Sequence, residues 1–342
     1  MEIINSNKFS DLADVVFSEV IDYKKFNEKN INNNLRIIKK SKVKESEFVW
    51  YVNDKFNLRN NDIIFCQTEI LPQLFKILKK QKKLKNLILI SHQSDKTVNN
   101  YLYSKKPKSI IAWFGTNVVT NKKDVKAIPI GVNNDYMYMY PIAEDFTNKN
   151  FKKYLEKKKL LYLNFNTNTR FLQRYHAKQF FRDTHNVIFD ENILSKGEYL
   201  EKINNARFVL CPWGNGFDTH RLWESIYSNS IPIVVSHKAY ESFKVLPIVF
   251  VNKFKNLNFE KINIENHDQN LNGTIADFGY WRSKITSLKT LENRDKNIHF
   301  DLKKENKQFL NYFNILRVIN NRYKRVRYFF FRIYKYIIKL LN

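Results

Sequence analysis

"FVLCPWGNGFDTHRLWESIYSNSIPIVVS", residues 208–236, decides how the chain is read. One apolar run enters the stretch and another leaves it. Between them, two of the protein's seven glycines, Gly214 and Gly216, flank Asn215. Asp218, His220, Arg221 and Glu224 then follow in quick succession. The pattern predicts a strand over 207–212, a loop WGNGFD, a helix over about 219–229 and a strand over 231–236. The two glycines permit positive φ and let a ligand approach the backbone. Asp218 or Thr219 is placed to cap the helix. Its free N–H groups and positive dipole end suit a diphosphate. Arg221 adds a forked cation in the first turn. Glu224, one turn on, shares its face and offers a carboxylate to two ribose hydroxyls. Leu222, Trp223 and Ile226 are expected to face a sheet. The plainer alternative is a capped helix carrying an Arg–Glu surface pair.

Short apolar runs recur on both sides of this stretch. NDIIFC (61–66), NLILIS (86–91), SIIAWF (109–114) and VKAIPIG (125–131) form a first set. KLLYLNF (159–165), NVIFD (186–190), RFVLCP (207–212), IPIVVS (231–236) and LPIVFV (246–251) form a second. A basic, polar connector (144–159) separates them. Runs of this length bounded by polar turns read as buried parallel strands. Strands alternating with helical segments imply an α/β protein, and two sets imply two facing Rossmann-like domains. The expected division is a first domain over 1–150, a second over 151–290 and C-terminal helices over 291–342. In such sheets ligands bind beyond the carboxyl ends of the strands.

The residues just after each strand are therefore the candidates. SHQSD places His92 and Asp95 after one strand, and either is a candidate general base. WFGTNV puts Asn117 after a second, and IPIGVNN puts Gly131 and Asn133 after a third; these are cleft candidates for an acceptor. LNFNTNTRFLQR follows the first strand of the second set. Its Asn166, Arg170 and Arg174 are candidates for holding a sugar and a phosphate. Each has an ordinary alternative as a turn or a helix cap.

With 59 Lys and Arg against 33 Asp and Glu, the formal charge is +26. That favours a polyanionic partner: nucleic acid, an anionic membrane or a phosphorylated substrate. A non-catalytic nucleic-acid binder is the alternative reading, but no helix-turn-helix, RNA-recognition or zinc-finger pattern supports it, so no nucleic acid is expected. Cys66 and Cys211 both sit inside apolar runs, with no disulfide framework, which suggests a reducing compartment. No signal peptide and no apolar stretch long enough to span a bilayer is read. The seven histidines are scattered and no DxD pair occurs, so no metal site is read. Neither a GxxxxGK[ST] loop nor a GxGxxG after a strand is present.

The stretch GNGFDTHRLWESIYSNSIPIV resembles the signature of exostosin-like glycosyltransferases. SHQSD, WFGTNV, IPIGVNN, LLYLNFNTNTRFLQR and YWRSKI look like the bacterial and viral branch of that group. The resemblance covers roughly residues 62–290. It implies a GT-B fold, with an acceptor bound mainly by the first domain and a nucleotide sugar, a UDP- or GDP-sugar, mainly by the second. It also implies no essential metal and no further cofactor. Gly214, Asn215, Gly216, Asp218, Thr219, His220, Arg221 and Glu224 carry over as the donor site, and His92 and Asp95 match the motif facing the sugar. The expected activity is transfer of a hexosyl or pentosyl group to a hydroxyl of a glycan or lipid-linked polysaccharide. Inversion is expected, with Asp95 as base and His92 as its alternative.

The chain ends in RYKRVRYFFFRIYKYIIKLLN. Residues 317–342 hold eight basic side chains and no acidic one. As a helix, this segment places Phe330 on an apolar stripe, with Arg325, Arg332 and Lys339 beside it at intervals of seven. Such a helix suits an anionic membrane, so a cytoplasmic protein peripheral on the inner face is expected. The alternative is a helix packed back on the first domain.

Overall fold

The computed structural model describes residues 1–31, 34–43, 45–182, 184–190, 194–262, 270–290 and 297–302, together with 319, 322, 323, 326, 329, 330 and 332–334. The α/β class and the two Rossmann-like units facing each other are what the structure has.

The first sheet has seven strands. Their spatial order is Leu35–Val43, Ser46–Asn53, Val15–Asp22, Ile63–Gln67, Leu87–His92, Ile110–Gly115 and Val125–Ala127. The last five run parallel. The first two form an antiparallel hairpin on the edge. Ile63–Gln67 and Leu87–His92 are buried along their whole length, which is why they read as unbroken apolar runs rather than alternations. Alternate side chains serve the two faces. Ile64, Leu87, Leu89 and Trp113 pack with Leu74, Phe75 and Leu78 of the helix Leu71–Lys79. Ile63, Phe65, Ile88 and Ile90 pack with Phe9 near the N-terminus and with Phe278, Trp281 and Ile285. The helix Phe278–Thr286 therefore returns from the second half of the chain to cover the first sheet. Strand Ile298–Asp301 does likewise, pairing with Lys55–Leu58.

The second sheet is wholly parallel, in the order Val187–Phe189, Lys159–Leu163, Ala206–Leu210, Ile231–Val235, Val249–Val251. Chain order reverses between its second and third strands. The loops leaving those two strands, 164–170 and 211–219, thus flank the topological switch point, where open α/β sheets bind their ligands. The apolar core is continuous between the units, with Leu222, Trp223 and Ile226 in one cluster with Ile64 and Trp113.

Candidate functional site

Three loops of the first unit and one of the second meet across the cleft. Asn117 sits at φ 53°, in the left-handed region that Asn tolerates. That conformation follows the end of strand Ile110–Gly115 and turns the side chain across the cleft. Its Oδ1 accepts from the backbone N–H of Phe217 and of Asp218, at 2.9 Å each. Asp95 Oδ1 accepts from the N–H of Gly216 at 3.2 Å. His220 Nδ1 lies 2.7 Å from the carbonyl oxygen of Gly131. That oxygen only accepts, so Nδ1 carries a proton; in the neutral imidazole Nε2 then holds the lone pair. Asn133 Nδ2 donates to Glu224 Oε1 at 3.4 Å and to the Pro141 carbonyl. The cleft residues expected from the sequence are thus brought together with the residues of the opening stretch.

The glycines have a different role from the one expected. Neither Gly214 nor Gly216 has positive φ; Gly131 does, at +70°. A Cβ on Gly131 would stand 2.1 Å from the Ile4 carbonyl oxygen, and one on Gly216 would stand 2.9 Å from Asn117 Nδ2. Gly216 is needed for close approach of the two units, not for a turn.

Asp218 also departs from expectation. It is buried and does not face a ligand: Oδ2 accepts from the N–H of Ile130 in the first unit, Oδ1 from Trp223 Nε1, both at 2.8 Å. Burial pushes its carboxyl up to about 7 although N–H donors favour the ionised form. Thr219 is the N-cap, but its side chain caps nothing and its buried Oγ1 has no partner among the described residues. The helix His220–Tyr227 therefore begins with no side-chain oxygen on its N–H groups.

Arg221 stands in that first turn. Its Nε is buried without a partner among the described residues, and its guanidinium lies 5.8 Å from the centre of the Tyr199 ring. Arg174 is nearby and fully built in. Nε donates to the Trp213 carbonyl, Nη1 to Asn166 and Nη2 to Pro212. It ties together the two loops that leave the switch-point strands. Burial, and then the charge of Arg221, lower it to about 10, so it remains a cation at neutral pH. Arg170 reaches the carbonyls of Gly214 and Asn215 and lies over the rings of Trp213 and Phe217. Asn166 and Asn215 are exposed on these loops. Arg221 thus stands in the first turn of a helix whose N-cap side chain makes no capping bond, with Arg174 close enough to feel its charge.

Glu224 does not have both oxygens free, as a grip on ribose would require. Tyr199 donates to Oε2 at 2.6 Å, and Asn133 holds Oε1. His92 is corrected too. It is buried, Nε2 donates to the Pro129 carbonyl at 3.1 Å, and Nδ1 accepts from the N–H of Gln93 at 2.8 Å. Burial lowers it to about 3. With both nitrogens engaged it has no lone pair for an acceptor hydroxyl. Asp95 is exposed, and its second oxygen has no partner among the described residues.

Three contributors escaped the sequence. Tyr199 lies on a helix that reads as ordinary core. His237, whose ring stacks on Phe217 with centres 3.4 Å apart, follows a strand end and was findable by the same rule as the others. Tyr240 donates to the Phe217 carbonyl. Among the described residues no three His, Cys, Asp or Glu side chains come together to hold a metal ion, and no helix is long and apolar enough to cross a membrane. In the tail, Phe330 and Arg332 are helical and exposed, while Arg325 and Lys339 lie outside the described residues. The Tyr334 ring meets Phe171 of the second unit, centres 5.6 Å apart.

No protein-family model and no curated protein matches the chain. Among solved structures the chain is similar to an alpha1,3-fucosyltransferase, at 14% identity over 68% of this chain and 67% of that one, with a TM-score of 0.29.

Proposed function

We propose that this protein is a glycosyltransferase of the exostosin-like kind. It moves a sugar from a nucleotide-sugar donor to a hydroxyl of a glycan or lipid-linked acceptor, without a metal and with inversion. One observation carries this reading: the loop between strand Ala206–Leu210 and the helix whose first turn holds Arg221 lies at the switch point of the second sheet and is met there by the first-unit carboxylate Asp95, 3.2 Å from the N–H of Gly216. The donor's diphosphate is assigned to the start of helix His220–Tyr227, with Arg221 and Arg170 supplying charge and Arg174 fixing the loops. Charge on the leaving diphosphate is then met by prearranged N–H groups and cations, which is where electrostatic stabilisation is largest. Asp95 is assigned to take the proton of the acceptor hydroxyl as that oxygen attacks the anomeric carbon and the bond to the diphosphate breaks. Glu224 and Tyr199 hold Arg221 in place, so any contact of Glu224 with ribose needs Tyr199 to yield.

The test is release of nucleoside diphosphate from a panel of UDP- and GDP-sugars mixed with acceptor saccharides. Release that persists in excess EDTA and is lost in Arg221→Ala supports the reading. Release abolished by EDTA and restored by manganese removes the metal-free scheme.

A further inference from the structure

A cavity of about 280 Å³ lies where the two units meet, lined mostly by the first unit and by His220 of the second. Asp95, Asn133 and His220 line it, as do Phe48 and Tyr136 on the far side. Its volume lies just under the roughly 300 Å³ at which pockets for drug-sized ligands begin, which leaves room for one sugar ring and not two.

The polar atoms left over in this cavity are three acceptors and one hydroxyl, that of Ser94, whose Oγ takes the N–H of Lys96 and whose proton has no acceptor among the described residues. His220 donates through Nδ1 to Gly131, so in the neutral imidazole Nε2 keeps its lone pair. Asn133 spends Nδ2 on Pro141 and Glu224, which leaves Oδ1. Asp95 spends Oδ1 on Gly216, which leaves Oδ2. Among the described residues none of the three atoms has a partner, and all three are acceptors. The other amides nearby are used up: Gln93 bonds Val20 and Ser6, and Asn134 bonds Ser6, Asn7 and Tyr136. The cavity therefore asks for a ligand that donates hydrogen bonds.

Charge narrows the ligand further. In a chain of net charge +26 this lining holds no Lys and no Arg, and its one carboxylate is Asp95. An anionic sugar would bring its charge against Asp95 with no cation to answer it. An uncharged one would bring hydroxyl donors to three waiting acceptors. The Phe48 and Tyr136 rings stack at 5.6 Å and form an aromatic wall. The negative ring face suits the C–H face of a pyranose.

We infer that this cavity is the acceptor subsite and that it takes a single uncharged pyranose, not a uronic acid or a phosphorylated sugar. The inference rests on the glycosyltransferase reading. The experiment is saturation-transfer NMR of the full chain with methyl β-glucopyranoside, methyl β-galactopyranoside and methyl β-glucuronide, each with UDP or GDP present. The ring protons of the neutral glycosides should receive saturation. The glucuronide should bind at least about tenfold more weakly, because like charges oppose it. Asp95→Asn should narrow that gap. Tyr136→Ala should abolish the neutral signal and Tyr136→Phe retain it, with nucleotide stabilisation showing that both variants fold. Equal or tighter glucuronide binding, or an unchanged signal in Tyr136→Ala, overturns the inference. If a nucleoside diphosphate stabilises the chain but no glycoside is saturated, the inference fails and the glycosyltransferase reading stands. If neither binds, both fail.

Discussion

The Oδ1 of Asn117 lies 2.9 Å from the backbone nitrogen of Asp218, and it takes the N–H of Phe217 at the same distance. One side chain of the first unit thereby fixes the loop that leads into the second unit's helix His220–Tyr227. In Asn117→Ala both N–H groups lose their partner; that of Asp218 is the buried one, and leaving it unpaired costs about 1–3 kcal/mol. Denaturant unfolding should show a loss in that range. Gly216→Ala pushes against the same amide, so its cost and that of Asn117→Ala should not add. A loss below about 0.5 kcal/mol in Asn117→Ala, the scale of an ordinary surface substitution, would mean that this contact does not hold the units together.

Asp218 makes the same junction sensitive to pH. Its folded value of about 7 lies above the value of about 3.9 for an unfolded Asp. Between these values the folded state binds more protons than the unfolded state, so stability falls as pH rises. The fall is complete above pH 7 and absent below pH 4. Thermal unfolding followed from pH 4 to pH 8 should show this slope in the native protein. Asp218→Asn should be less stable, because its amide cannot accept from both Ile130 and Trp223, but its slope should be smaller. Parallel slopes would remove Asp218 from the pH response.

A base contributes on the order of 10²–10⁴-fold to turnover. Asp95→Asn should lower turnover by about that factor while nucleotide affinity changes little, since the phosphates are assigned to the other unit. His92→Asn should instead reduce stability, because both ring nitrogens are spent inside the fold. The measurement is turnover at saturating donor and acceptor together with the unfolding midpoint of each variant. Near-native turnover in a folded Asp95→Asn would exclude Asp95 as the base.

The tail predicts a membrane interaction. Ile319, Tyr323, Val326, Phe329, Phe330 and Ile333 are exposed, within a segment whose charged residues are all basic. The chain should float with vesicles of phosphatidylglycerol and phosphatidylethanolamine, and not with phosphatidylcholine alone. Phe329→Ser combined with Phe330→Ser should weaken flotation. Equal flotation with both kinds of vesicle would remove the electrostatic part of this proposal.

Ile63–Gln67 and Leu87–His92 were legible because each is buried on both faces and reads as an unbroken apolar run. Val15–Asp22 and the hairpin Leu35–Asn53 were not. Leu35–Val43 is an edge strand, and its exposed Lys39, Lys40 and Lys42 give it a polar appearance. Charges of that kind protect an edge from pairing with another chain. The strand-end rule found Asp95, Asn117, Gly131 and Asn133 because the sheet's direction alone places them at the cleft. It could not say what each would touch. Asp218, His92 and Glu224 were read as facing a ligand, yet their partners Ile130, Pro129 and Tyr199 are brought in by tertiary packing. That packing leaves no local trace in the sequence.

The central claim is that Arg221 and the helix start behind it bind a nucleoside diphosphate. Titration calorimetry of UDP, GDP and the matching monophosphates against native protein and Arg221→Ala tests it most directly. One diphosphate should bind the native protein, and Arg221→Ala should weaken it far more than its monophosphate, because the guanidinium is assigned to the diphosphate. Unchanged diphosphate affinity in a folded Arg221→Ala, or no diphosphate binding by the native protein, would contradict the account.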